Sequence, residues 1–275
     1  MRRRRLGAEL RRLREGAGIT IERVAQALEC SDSKISRIET GQVGATTRDV
    51  RDMLILYGVS EQRRDELVKL AREAREQGWW RAFGDVPTSS YASFDAAAAS
   101  VHIYQALLVP GLLQTAAYAR AVIGAVAPEL PGEEVDRRIE FRMTRQRQRL
   151  ATGEPPALWT LLDEAVLHRP VGGPEVMREQ LERLADAAAQ PTVTLQVVPF
   201  AAGVHAGMDG AFTIFGFRDR NDPDVVYLEH PTRESVIEAP EEVDRYRQAF
   251  ERLSKAALPP GESTGMVAAL AKELA

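Results

Sequence analysis

Between Leu6 and Leu70 the apolar residues recur at intervals of three and four, and the groups are closed by turn residues, which predicts five short amphipathic helices. Leu6, Leu10 and Leu13 form the first stripe, with Arg and Glu between them and Gly16 and Gly18 as stop signals. Thr20 is placed to cap a second helix that turns Ile21, Val24, Ala25 and Leu28 inward. Ser31 is placed to cap a third, in which Ile35 and Ile38 face the core while Asp32, Ser33, Lys34, Ser36 and Arg37 face outward up to Gly41. Thr47 opens a fourth helix carrying Val50, Met53, Leu54 and Tyr57, and Ser60 a fifth carrying Leu67, Val68 and Leu70. Two short helices joined by three or four residues make the helix-turn-helix pattern.

Past Gly78-Trp79-Trp80 and the turn-rich stretch 84–90 the pattern changes. Residues 96–102 read as helical and 103–108 as extended, before the Pro110-Gly111 stop. Thr115 caps a helix through Val126, and 133–150 is a long Arg-rich helix. Short β-branched and aromatic runs at 158–162, 193–198, 211–217 and 225–228 predict strands, and helices return at 174–189, 241–258 and 266–274. The fold class expected is mainly α with an α+β C-terminal part: a five-helix domain over residues 1–76 and an α+β domain with a small sheet over 77–275.

Composition narrows the class. With 44% hydrophobic and 28% charged residues in 275, the chain has enough apolar surface for two cores and is neither disordered nor fibrous. A lone Cys30 cannot form an internal disulfide, and a free thiol suits a reducing compartment. The longest apolar stretch, 96–113, is interrupted by Ser100, His102, Tyr104, Gln105, Pro110 and Gly111, too many for a membrane span. The basic opening Arg2 to Arg5 is followed by Leu alternating with charges, unlike a signal peptide, so a cytoplasmic location is expected. Residues 1–76 carry 17 Lys or Arg against 13 Asp or Glu, whereas residues 77–275 carry 19 against 27. A basic head on an acidic body fits a nucleic-acid-binding N-terminal domain.

The run from Gly18 to Gly41, GITIERVAQALECSDSKISRIETG, resembles the phage-repressor-like (XRE-type) helix-turn-helix domain of bacterial regulators, over roughly residues 6–72. The resemblance implies that the third helix enters the major groove of double-stranded operator DNA by its N-terminal end. Asp32, Ser33 and Arg37 are then the candidates for reading bases, since Arg donates two parallel hydrogen bonds to guanine and Asp accepts from cytosine. Lys34 and Ser36 suit phosphate or adjacent contacts. Arg14 and Glu39 match a pair that forms a structural salt bridge in relatives. Two departures stand out. Ile21 occupies the position where relatives often place a bracing Gln, which passes that phosphate role to Thr20 or Arg23. Glu29 occupies the position where the tight turn usually has Gly, so a shifted turn geometry is expected.

A second resemblance covers about residues 78–260. Gly78-Trp79-Trp80, the run from Val109 to Thr115 with Tyr118-Ala119-Arg120, Arg142 with Arg145-Gln146, Leu162 to Leu167, and Val198-Pro199-Phe200 with Gly210 and Phe212 resemble the uncharacterised C-terminal domain of antitoxin-like regulators from filamentous antibiotic-producing bacteria. Such regulators are commonly encoded beside a short partner protein. The resemblance implies a body that senses a protein partner or ligand, with Trp79, Trp80, Arg142, Arg145 and Gln146 as candidate contacts. The six Arg between 137 and 149 read as a solvated face or, alternatively, as a surface for phosphate, an acidic partner or DNA flanks.

An enzyme is not expected. Glu164 and His168 share a helix face, and His205, Asp209 and His230 fall near strand ends, but the sequence holds no paired-His motif, nucleophile elbow, phosphate loop or dinucleotide fingerprint. No cofactor or metal is implied. The function expected is sequence-specific transcription regulation by a homodimer, since one such module contacts few base pairs. The alternative is an antitoxin-like module that sequesters a short partner and binds DNA only for autoregulation.

Overall fold

The computed structural model describes residues 2–41, 43–75, 79, 83, 89–151, 154–218, 222–230 and 233–274. The chain divides into two compact units, Met1–Trp79 and Trp80–Ala275.

The first unit holds α1 (Arg2–Gly16), α2 (Ile21–Ala27), α3 (Asp32–Glu39), α4 (Thr47–Leu56) and α5 (Glu61–Arg75). Its core is the sum of the five stripes: Leu6, Leu10, Val24, Ala25, Ile35, Ile38, Val50, Met53, Leu54, Leu67 and Val68 are buried together. Thr20, Ser31 and Thr46 each take an extended conformation and accept a hydrogen bond from the backbone N–H three residues on, which fixes where α2, α3 and α4 begin. Thr46 and Asp49 complete a reciprocal capping box, so α4 is capped one residue before Thr47. α1 crosses the end of α3 at Gly7, where a Cβ would stand 2.4 Å from the Ile38 carbonyl oxygen. Only glycine permits that approach.

The second unit is built on one six-stranded sheet in the order β3-β2-β1-β4-β5-β6. β1 (Ser100–Gln105), β2 (Ala157–Asp163) and β3 (Val193–Val198) are parallel, whereas β4 (Phe212–Gly216), β5 (Val225–Glu229) and β6 (Glu234–Ile237) form an antiparallel meander on the other side of β1. α6 (Ser89–Ala97) precedes β1, and α7 (Ala116–Val126) and α8 (Gly132–Leu150) connect β1 to β2. α9 (Glu164–His168) and α10 (Pro174–Ala188) connect β2 to β3, and α11 (Pro240–Ala256) and α12 (Pro260–Glu273) close the chain. Tyr104, Leu161, Phe212, Ile214 and Val226 pack on one side of the sheet with Val243, Phe250 and Leu253 of α11. On the other side Phe94 stacks on Phe215, and Tyr91 meets Phe215 and Tyr227 edge-on. Both sides are covered, which is why the strands read as apolar runs instead of alternating ones.

Three expectations are corrected. Residues 98–102 are not helical: α6 ends at Ala97, and Ser100–Gln105 is the sheet's central strand, paired with β2 and β4. Cross-strand pairing on both sides overrides the local Ala-rich preference. The edge strand β6 was not predicted, because Glu234–Ile237 is short, half-exposed and starts with a charge. α12 begins at Pro260, six residues before Met266, and the buried Ser263 hydroxyl accepts from Val197 N–H at 2.9 Å, joining the helix start to β3.

Candidate nucleic-acid interface

α3 presents two different sides. Ile35 and Ile38 are fully packed, while Asp32, Ser33, Ser36 and Arg37 are exposed and Lys34 is half-buried. The Ser31 hydroxyl accepts from Lys34 N–H at 3.3 Å, which caps the leading end of α3. Arg37 Nε donates to the Ser33 carbonyl at 3.3 Å, four residues back along the helix. Among the described residues its two terminal nitrogens have no partner, so the guanidinium offers a free pair of parallel donors. Lys34 Nζ lies 3.5 Å from Asp49 Oδ2, which ties α3 to the first turn of α4 and offsets part of the lysine's charge. On α2, Thr20 is exposed and spends its hydroxyl on the Arg23 amide at 3.3 Å, while Arg23 Nη1 donates to Gln26 Oε1 at 2.9 Å.

The turn that sets α2 against α3 runs through Glu29, with φ +51°, the only non-glycine residue in the left-handed region among those described. The tight turn is therefore kept and not shifted, at a cost on the order of 1 kcal/mol for a residue with a Cβ. Cys30 N–H closes it onto the Ala25 carbonyl at 2.9 Å.

Behind the exposed side, Arg14 Nε and Nη2 reach Glu39 Oε1 and Oε2 at 2.7 and 3.0 Å, and Arg14 Nη1 reaches the Ile19 carbonyl at 2.9 Å. Both side chains are buried. The carboxylate's hydrogen bond raises the Arg14 pKa despite burial. Glu39 thus lies on the inner side of α3, away from its exposed surface.

In the second unit the candidate contacts are engaged internally. Gln146 Nε2 donates to the Gly111 and Gln114 carbonyls, each at 2.8 Å, and Arg142 donates to Gln114 Oε1. Arg145 Nε reaches Asp95 Oδ2 at 3.0 Å, and its guanidinium sits 4.5 Å above the Tyr91 ring. Arg149 adds a second contact to Asp95, at 3.5 Å. Burial pushes the Arg142 pKa down to about 10, with the neighbouring Arg145 charge adding to the effect. Arg137 and Arg138 both pair with Glu134. α8 is accordingly no continuous basic surface: Arg142, Arg145 and Gln146 are engaged within the domain. Trp79 is half-buried, and Trp80 lies outside the described residues.

A family model described as a domain of unknown function (DUF5753) matches residues 88–269 of the 275. The chain belongs to the DUF5753 family. A second model, described as a helix-turn-helix domain, matches residues 5–67. No curated protein and no solved structure matches the chain.

Within the DUF5753 domain, sequence reasoning missed Asp95, Gln114 and Gln180. Gln180, fully buried on α10, accepts from Thr115 N–H and donates to the Leu113 carbonyl, both at 2.8 Å, and Gln114 Nε2 donates to the Val109 carbonyl at 2.6 Å. The Val109 to Thr115 run is thus a loop whose backbone polar groups are satisfied by three glutamines. Buried glutamines inside apolar stripes were the available signal. His205 is fixed between Asp163, at 3.3 Å, and the Gly207 N–H, at 3.2 Å, while Glu164 takes the Phe200 N–H at 2.7 Å and stands 3.3 Å from His168. These contacts brace the 199–211 loop. No group of three or more His, Cys, Asp or Glu among the described residues is arranged to hold a metal. No helix among them is long and apolar enough to cross a membrane.

Proposed function

We propose that this DUF5753 protein is a sequence-specific transcription regulator in which residues 1–76 bind operator DNA and residues 77–275 sense a small protein partner or ligand. The observation that carries the reading is the guanidinium fork of Arg37 on the exposed side of α3, its terminal nitrogens without a partner among the described residues, flanked by Asp32, Ser33 and Ser36. Asp32, Ser33 and Arg37 read base edges; Lys34, Ser36, Thr20 and Arg23 position the phosphates. A homodimer on two half-sites supplies the specificity that one short helix lacks. The protein works in the cytoplasm. Sequencing genomic fragments retained by the purified protein tests the reading: a shared motif with two half-sites is expected, and retention proportional to fragment length alone would contradict it.

A specific feature supports an antitoxin-like second reading, in which the domain sequesters a short protein and DNA binding serves autoregulation. Leu107 follows the C-terminal end of β1, Phe200 that of the parallel β3, and Val204 and Met208 lie on the loop returning to β4, each more than half exposed. Exposed apolar patches of this kind mark partner sites. Under this reading a stoichiometric small partner co-purifies without DNA; a bare protein recovered from cells that also express the neighbouring short gene would exclude it.

A further inference from the structure

α11 does not seal the antiparallel half of the sheet. Between this helix, the β4–β5–β6 meander and the start of the 206–212 segment lies a cavity of about 550 Å³. That is the size of a small-molecule site. Its apolar lining comes from Phe212, Leu228, Ile237 and Ala249, and Tyr246 stands against Phe212 with ring centroids 5.2 Å apart. Asp209 and Glu242 both line the cavity, one from the loop and one from the first turn of α11.

Asp209 and Glu242 share this lining with a third carboxylate, Glu229. Asp224 and Asp244 both take Arg247, at 2.5 and 3.1 Å. Among the described residues, Asp209 and Glu242 have no ion pair. Arg245 and Arg252 also line the cavity, so its charge is mixed. Three carboxylates, Asp209, Glu229 and Glu242, outnumber the two arginines in the lining, and burial followed by Glu242 and Asp209 raises the pKa of the Tyr246 phenol. An aromatic ring beside carboxylates is the arrangement that takes an organic ammonium group.

We infer that this cavity binds a small organic cation with a flat apolar body, its ring laid along Phe212 and Tyr246 and its ammonium group between Asp209 and Glu242. The inference rests on the proposal that residues 77–275 sense a ligand, and it supplies the site and the chemical class. The occupant covers the apolar floor and sets its positive charge beside the carboxylates.

Calorimetric titration of the full-length protein with tryptamine, set against indole-3-propionate, tests it. The two share a ring and a short arm and differ in the sign of the terminal charge. Saturable one-to-one binding of tryptamine is expected, at least ten-fold tighter than the acid. Glu242→Gln should weaken tryptamine about ten-fold without tightening its dependence on salt, and Ala249→Phe should abolish binding by filling the cavity. Thermal melts establish that each variant is folded; if Ala249→Phe is not, Glu242→Gln decides alone. No saturable binding, an acid bound as tightly as the amine, or a Glu242→Gln titration indistinguishable from the parent would overturn the assignment. Operator binding measured with and without tryptamine separates the two proposals: binding that leaves DNA affinity unchanged keeps the cavity as a site and removes its role in sensing.

Discussion

Arg14 closes a two-pronged ion pair on Glu39, 25 residues away in sequence, and in doing so bolts the first helix to the inner side of the helix that carries Arg37. Removing either partner strands a buried charge. Arg14→Ala or Glu39→Ala is expected to cost about 3–5 kcal/mol, enough to unfold the N-terminal unit near ambient temperature. The Arg14→Met, Glu39→Leu double variant should lose less than either single one, because no charge is left unpaired. Denaturant unfolding of the three variants checks this, and equal losses would contradict it.

Glu29 occupies a left-handed turn in which relatives of this motif usually place glycine. Glu29→Gly is expected to raise stability by a few tenths to about 1 kcal/mol, since relief of strain exceeds the added freedom of the unfolded chain. The same denaturant titration measures it. A loss of stability would mean that the turn carries no strain.

Glu9 lies between Arg12 and Arg63, with Oε1 2.8 and 3.0 Å from their guanidinium nitrogens, and joins α1 to α5. The Arg12 hydrogen bond, reinforced by Arg63, holds its pKa at about 2. A carboxylate whose folded pKa is lowered stabilises the fold above its ordinary value near 4.5 and loses that contribution as pH falls toward 2. Because both arginines are largely exposed, the contribution is about 1 kcal/mol after screening. Melting temperatures between pH 5 and pH 2 should fall less steeply for Glu9→Gln than for the parent; identical slopes would refute the assignment.

Asp49 draws Lys34 toward α4. Asp49→Asn keeps an oxygen for the cap and removes the competing charge, so it should tighten binding to any DNA about two- to five-fold at low salt, with the gain vanishing at high salt. Anisotropy titrations on unrelated duplexes read the effect. Unchanged affinity would show that Lys34 lies outside the DNA contact.

The N-terminal unit was legible in the sequence because its information is local. Thr20 and Ser31 cap the helices they were expected to cap, and Leu10, Val24, Ile35 and Met53 are buried at the spacing that predicted them. The sheet was only partly legible. β3 was read with its observed bounds from a run of apolar β-formers, whereas β1 was obscured because its identity comes from β2 and β4, which lie more than 50 and 100 residues away. The internal partners of the Arg-rich α8 were hidden for the same reason: Asp95 and Gln114, which take Arg145 and Arg142, are distant in sequence. Nothing about Arg145 alone distinguishes an inward guanidinium from a solvated one.

The assignment of α3 as the base-reading helix is tested most directly by mobility-shift titrations of Arg37→Ala and Lys34→Ala on the preferred operator and on single-base variants, across a range of salt. Arg37→Ala should cost about 1–3 kcal/mol on the preferred site and erase discrimination at one base pair, whereas Lys34→Ala should weaken all sequences alike and flatten the salt dependence by about one unit of slope. Operator affinity and base preference unchanged in Arg37→Ala would contradict the account.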